Sequence, residues 1–257
     1  MKLLPVTITL ILISVLAPCE SALAVRPFIT DDARVTPEHT FLTETSLRLD
    51  QNRFQNLTLF ALGFTNKLEG TIGFLDGILL NEERGATGQF SFSGPLLQLK
   101  YLFNEQKGKE GIPAFAVEAG ANPPWGFGSQ GFHPSAWTQF LVFIMSKAFS
   151  DRPEHFNLHV NLGLTNVNHP GKASEQEVVW GVGIQYHLFR DILYGVTEVL
   201  SGDPYGVSSG AVYQVGFRFF ISDRMQLDTS YGAGIWGDPR PGWFLGFGFR
   251  FFTHPLW

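Results

Sequence analysis

Three stretches near the C-terminal end alternate apolar and polar positions with a period of two. In the first, Ala211, Tyr213, Val215, Phe217, Phe219 and Ile221 interleave with Val212, Gln214, Gly216, Arg218 and Phe220. In the second, Met225, Leu227, Thr229, Tyr231, Ala233 and Ile235 interleave with Gln226, Asp228, Ser230, Gly232 and Gly234. In the third, Trp243, Leu245, Phe247, Phe249 and Phe251 interleave with Phe244, Gly246, Gly248 and Arg250. Period two means extended strand with two unlike faces. Each run is about 10 residues, the length a tilted strand needs to cross a bilayer. Bulky aromatics hold one face, and glycine and charge collect on the other. That is the pattern of a barrel with lipid outside and polar groups in its lumen.

The same reading lays down twelve strands, at 40–50, 56–64, 67–75, 94–104, 113–121, 136–148, 155–165, 177–187, 190–200, 210–221, 224–235 and 242–252. The seventh is the cleanest: Phe156, Leu158, Val160, Leu162 and Leu164 point one way, and His155, Asn157, His159, Asn161 and Gly163 the other. The second and the sixth are apolar on both faces, so pattern alone leaves their facing open. From the second strand onward, short and long links alternate, as periplasmic turns and outer loops do in outer-membrane barrels. This parity predicts an all-β, transmembrane antiparallel β-barrel of about 12 strands with both termini in the periplasm. The links Gln51–Gln55, Glu105–Ile112 and Trp236–Pro241 fit the alternation less well.

Composition agrees with this. Charged residues are 16% of the chain, below the roughly 25% of an average globular domain, and 25 of its 257 residues are Phe. The net charge of −5 and the absence of a basic stripe exclude a nucleic-acid partner. Residues 1–24 read as a secretory signal: Lys2, an apolar run from Leu3 to Ala17, and a small-x-small end at Ala22-Leu23-Ala24. The competing reading is lipoprotein cleavage before Cys19, which Pro18 disfavours. Cys19 is the only cysteine, so cleavage after Ala24 leaves a chain without thiols. Residues 25–38 are expected to form an N-terminal periplasmic segment, and 39–257 the barrel.

The segment opens Val25-Arg26-Pro27-Phe28-Ile29-Thr30-Asp31-Asp32-Ala33. It resembles the opening of a family of Gram-negative outer-membrane proteins labelled as meta-pathway phenol-degradation proteins, or simply as transporters. The resemblance implies a barrel moving small apolar or aromatic molecules. By itself, Thr30-Asp31-Asp32 reads as a turn held by side-chain-to-backbone bonds. As a cation site, two adjacent carboxylates fall short of an oxygen shell. The last strand, with Gly246-Phe247-Gly248-Phe249-Arg250-Phe251, resembles the signal read by the outer-membrane assembly machinery, although Thr253–Leu256 separate it from the terminal Trp257.

Candidate lumen residues carry both signs. Glu44, Glu118, Glu198 and Asp228 fall on the inner face among Arg48, Lys100, Arg218 and Arg250. Tyr194 and Phe220 are inner-face aromatics that offer stacking surfaces. His155 and His159 share the inner face, but residues four apart along a strand are separated by ~13 Å, too far for one ion. They are read as polar lumen residues, with no metal and no cofactor. A lipid-modifying hydrolase needs a serine and a histidine side by side; Ser230, His155, His159 and His187 are present, but no motif joins them, and no catalytic residue is assigned. The expected function is a channel or transporter for small molecules in the bacterial outer membrane, with lipid, solute and the assembly machinery as partners. The alternatives are an outer-membrane enzyme and a structural or adhesive barrel.

Overall fold

The structure, a computed structural model, describes residues 28–256 apart from 81–87, 129–135, 153–154, 169–170, 172, 203–209 and 238–241. The expected signal and the outer-loop tip at Asp238–Pro241 lie outside the described residues. The chain forms β1 (Phe41–Asp50), β2 (Arg53–Thr65), β3 (Leu68–Leu79), β4 (Phe90–Asn104), β5 (Ala114–Asn122), β6 (Gly126–Phe127), β7 (Trp137–Ala148), β8 (Phe156–Asn168), β9 (Glu175–Phe189), β10 (Leu193–Ser201), β11 (Ala211–Phe220), β12 (Met225–Trp236) and β13 (Phe244–Phe252). Neighbours pair antiparallel in chain order, and β1 pairs with β13 from Leu42↔Phe252 to Asp50↔Phe244. The sheet therefore closes, with no open edge among its twelve long strands. Closure matters because an unpaired edge in lipid leaves a row of unsatisfied backbone groups.

The two faces sort as the period-two pattern requires. On β11, Tyr213, Val215, Phe217 and Phe219 are exposed, while Gln214, Gly216, Arg218 and Phe220 are buried. On β8, Phe156, Leu162 and Leu164 are exposed and Asn157, His159 and Gly163 are buried. Exposed Trp125, Trp137, Trp236 and Trp243 lie near the end with the long loops. Phe149, Phe156 and Phe189 lie near the end with the short turns. Aromatic belts at both rims of an apolar band are the mark of a barrel wall in lipid.

The observed strands differ from the pattern-based spans mainly at the long-loop end. The β3–β4 hairpin extends to Leu79 and Phe90, and the β8–β9 hairpin to Asn168 and Glu175. Pairs such as Asn166↔Gln176 and Val167↔Glu175 continue the ladder. Backbone pairing does not stop where apolar alternation stops, and alternation ends at the edge of the lipid. The two-residue β6, not foreseen, folds back from that end onto Phe92 and Ser93 of β4. Residues 190–192, expected to begin the ninth strand, form a turn instead: Arg190 and Asp191 have φ of 50° and 52°, and the Ile192 N–H donates to the Phe189 carbonyl at 3.0 Å. Two consecutive positive φ values make a tight hairpin turn that matches the twist of its strands.

The wall assignment predicts a contrast. Leu162 is 58% exposed in the middle of β8, and an arginine there costs about 2–4 kcal/mol in a barrel at the membrane midplane. Leu162→Arg should lose that much in urea unfolding from lipid vesicles. Gln176→Arg, on the outward side of the extension of β9 beyond the apolar band, should change little. Equal losses would contradict the assigned band.

Candidate functional site

Residues 25–38 read from sequence as a segment outside the barrel; the structure places Phe28–Thr36 inside it. At His39, φ is 58°, and the Thr40 N–H donates to the Pro37 carbonyl at 3.1 Å. This turn reverses the chain between β1 and the lumen. Glu38 forms a parallel bridge with Gly63 of β2. A Cβ at Gly63 would lie 2.1 Å from the Pro37 carbonyl oxygen, so the approach requires glycine.

Beyond the turn the segment has no strand partner, and the wall's side chains satisfy most of its amides. The Thr36 N–H donates to Glu69 Oε2 at 2.6 Å, and the Ala33 N–H to Ser146 Oγ at 2.9 Å. With its oxygen turned to the Asp31 N–H, the orientation that satisfies both groups, the Asn161 amide spans Asp31, accepting from its N–H at 2.7 Å and donating to its carbonyl at 3.0 Å. The carboxylate of Glu198 accepts the Ile29 and Thr30 N–H groups, one on each oxygen, at 2.8 and 2.7 Å. Asp32 N–H and Arg34 N–H are served within the segment, by Asp31 Oδ1 and Asp32 Oδ1. Burying an amide without a partner costs about 1–3 kcal/mol, so these acceptors are a condition of the segment's position.

Apolar contacts complete the fit. Ala33 and Val35 pack with Leu102, Ala114, Ala116 and Ile144. Ile29 packs against Leu57 and Leu59 of β2 and against Leu200, Val212 and Phe244. These contacts resolve the two strands that pattern left open. β2 presents Leu57, Leu59 and Ala61 inward, and the sixth predicted strand, β7, presents Ile144 and Ala148 inward. Both have an apolar inner face because parts of that face meet the segment rather than water. Gly181 is the counterpart on β9: a Cβ there would lie 2.7 Å from Thr30 Oγ1.

The predicted lumen residues fall into several groups. Lys100 Nζ meets Asp31 Oδ2 at 2.6 Å, and Glu118 lines the same small cavity. Glu198, 1% exposed, holds the segment's tip and also accepts from Gln214. Arg218 pairs with Asp228 at 3.1 Å, donates to Gln185, and stands 5.7 Å from the Phe28 ring centroid. Arg250 lies 3.6 Å from Glu44 and over the Phe252 ring. Arg48 lies over the Phe244 ring. Tyr194 and Phe220 meet edge to face at 5.2 Å, and both are buried. His159 Nδ1 lies 2.8 Å from Ser146 Oγ. His155 departs from this set. It sits in the short turn before β8, with its Nε2 2.8 Å from Asp191 Oδ1. The hydrogen bond with His155, aided by Arg152 and His187 against slight burial, holds the Asp191 carboxyl below its ordinary range.

Sequence reasoning missed Asp31, Asp32, Arg34, Ser146 and Asn161 as parts of one arrangement. Asp32 and Arg34 pair within the segment, with Arg34 Nε 2.6 Å from Asp32 Oδ2. A signal was present in the doubly apolar strands, which need a cover. Ser146 and His159 form a serine–histidine contact, with Ser146 rather than Ser230 as the serine. Ser146 Oγ also accepts the Ala33 N–H, so this contact takes part in seating the segment.

Between the segment and the wall a cavity of about 60 Å³ remains, bordered by Glu44, Glu69, Lys100, Glu118 and Arg250. Toward the short-turn end lies a chamber of about 540 Å³, lined by Arg34, Val35, Leu102, Glu105, His159 and Phe252 among others. This chamber is of ligand size, and Asp32, Arg34 and Val35 of the segment border both it and the smaller cavity.

No protein-family model matches the chain, and no curated protein does so either. Among solved structures, the chain is similar to the COG4313 outer membrane channel from Pseudomonas putida F1, with 12% identity over 88% of this chain and 100% of that one, and a TM-score of 0.58. It is similar to the KdgM porin at 9% identity over 83% of this chain and 99% of that one, with a TM-score of 0.55. A KdgM structure in complex with disordered oligogalacturonate gives 0.54. At such identities the likeness establishes the barrel fold.

The seat of the segment is testable through Thr30, which is 6% exposed. Thr30→Cys, in the chain from Val25 onward, should react slowly with a small thiol reagent in the folded barrel. Hydrogen bonds to charged groups are worth about 1.5–3 kcal/mol each, so adding Glu198→Ala should speed labelling at least ~10-fold. Unchanged labelling in a barrel that keeps its folded gel mobility would contradict the anchoring role of Glu198.

Proposed function

We propose that this chain is a bacterial outer-membrane channel for small molecules, closed from within by its own N-terminal segment and opened when that segment leaves the lumen. The observation that carries the reading is the way Ile29–Thr36 is held. Glu198, Ser146, Asn161, Glu69 and Lys100 hold it by side-chain contacts, whereas the barrel closes through β1 and β13 without it. A closed sheet with a detachable cover can open without breaking its wall. The likeness to an outer membrane channel and a porin supports the same reading, as does the lipid-suited outer face. On this reading the short turns and both chain termini face the periplasm, and the alternating aromatics of β13 address the assembly machinery.

The chamber suggests the solute. It combines Val35, Leu102, Ala114 and Phe252 with Arg34, Glu105, His159 and Arg224, which suits a small body with an apolar surface and one or two polar groups. Phenols belong to that class, and the opening Arg26-Pro27 to Ala33 resembles a family labelled for phenol degradation. The lumen's charges are paired across signs, so weak ion preference is expected; strong selection uses rings of one sign.

In planar bilayers the full chain should show small or rare openings. A chain lacking residues 25–36 should conduct several-fold more. Equal conductance would remove the segment from the closing role, and no conductance from either would leave a structural barrel as the better reading. In liposomes, phenol entry should exceed that in protein-free controls. If only a neutral sugar is accelerated, the apolar preference falls while the channel stands.

A further inference from the structure

We propose that His155, His187 and Asp191 form a binding site for one divalent transition-metal ion of the zinc, nickel or copper type, at the short-turn rim of the barrel. The proposal does not depend on the channel reading. Histidines at 155 and 159 are too far apart along one strand to share an ion, but the ladder between β8 and β9 supplies a different partner. Phe156 pairs with Tyr186, which puts His155 opposite His187, and the His187 N–H donates to the His155 carbonyl at 2.8 Å. The two rings stack with centroids 4.2 Å apart and 13° between their planes.

Asp191 reaches the same point from the turn after β9. With φ of 52°, it sits in a left-handed position that glycine, asparagine or aspartate fills most easily. The turn folds its carboxylate back over the strand end. Asp191 Oδ1 lies 2.8 Å from His155 Nε2 and 3.5 Å from His187 Nε2. Two ligands each ~2.1 Å from a tetrahedral ion are roughly 3.4 Å apart, so these spacings bracket those of a bound set. One donor atom from each residue lies within 4.8 Å of the others. Each imidazole lone pair lies in its own ring plane, so binding one ion turns the two rings out of their stacked arrangement.

The surroundings favour an ion. The Asp191 N–H donates to His187 Nε2 at 3.1 Å, so that nitrogen carries its lone pair rather than a proton, and an ion bound there takes the place of the amide. Arg152 Nη1 holds the other carboxylate oxygen at 2.8 Å. This fixes the carboxylate's orientation, as outer-shell partners do at metal centres, with Oδ1 toward the two histidines, where an ion replaces the proton shared with His155. All three side chains are partly exposed, so an ion can enter, and water can complete its coordination. Two imidazoles and one carboxylate suit zinc, nickel or copper and disfavour calcium and magnesium, which take oxygen shells.

The test uses the full barrel in detergent, purified without an oligohistidine tag, with Zn²⁺ in equilibrium dialysis and Co²⁺ followed by visible absorption. One ion per chain is expected, with cobalt bands from nitrogen ligation. His155→Ala and His187→Ala should each weaken Zn²⁺ binding at least tenfold. His254→Ala, at the exposed C-terminal end, should leave it unchanged. Folding is checked by unboiled gel mobility, and His155→Gln and His187→Gln give the same readout should an alanine variant misfold. Absence of stoichiometric binding to the folded wild-type barrel would overturn the proposal, as would wild-type affinity in the double variant.

Discussion

Backbone amides inside a membrane barrel must find partners, and this requirement governs the arrangement. The wall meets it by closing its ladder through β1 and β13. The segment Phe28–Thr36 lies within that closed ladder and cannot join it. Its amides are instead matched by inward side chains: Glu198 for Ile29 and Thr30, Asn161 for Asp31, Ser146 for Ala33 and Glu69 for Thr36. The inner face is therefore more than a generic polar lining; it complements one particular stretch of chain. The mixed charges have the same logic, since Lys100 is paired with Asp31 of the segment, and Arg218 with Asp228 of the wall.

Such a complement can hold and release. Side-chain bonds to a segment that contributes no strand can be broken together without disturbing the sheet. Each amide-to-carboxylate bond is individually modest in net free energy, and the apolar contacts of Ile29, Ala33 and Val35 add area burial that is non-directional. The closed state is then set by a balance between this seat and the conformational freedom the segment regains on leaving. On the channel reading proposed above, a solute in the chamber beside Arg34 and Val35 would compete for the same surfaces and so link passage to opening.

The wall was legible because a period of two, sustained across about ten residues, has few physical causes. Its limits were also physical. Hairpins such as Asn166↔Gln176 extend beyond the lipid edge, where apolar alternation no longer marks them. Residues 190–192 read as strand from sequence, but Arg190 and Asp191 adopt left-handed backbone, for which the aspartate was the one local signal. The segment was hidden for another reason: an extended stretch held by distant side chains has no period of its own. Its trace lay elsewhere, in the doubly apolar β2 and β7, whose inner faces pack on Ile29, Ala33 and Val35. Likewise, the His155–His187 neighbourhood is set by register across the ladder, which spacing along one strand does not reveal.

The central claim is that Phe28–Thr36 sits inside the barrel wall. Cross-linking tests it most directly, in a chain from Val25 onward that has no native thiol. The Ala33 amide and Ser146 Oγ are 2.9 Å apart, so Ala33→Cys with Ser146→Cys should be joined by a short bis-maleimide in the folded barrel. Ala33→Cys with Leu162→Cys, whose second position is on the outer face, should not be joined. Efficient cross-linking of the first pair alone is the predicted result; no cross-link there, or equal yields from both pairs, would contradict it.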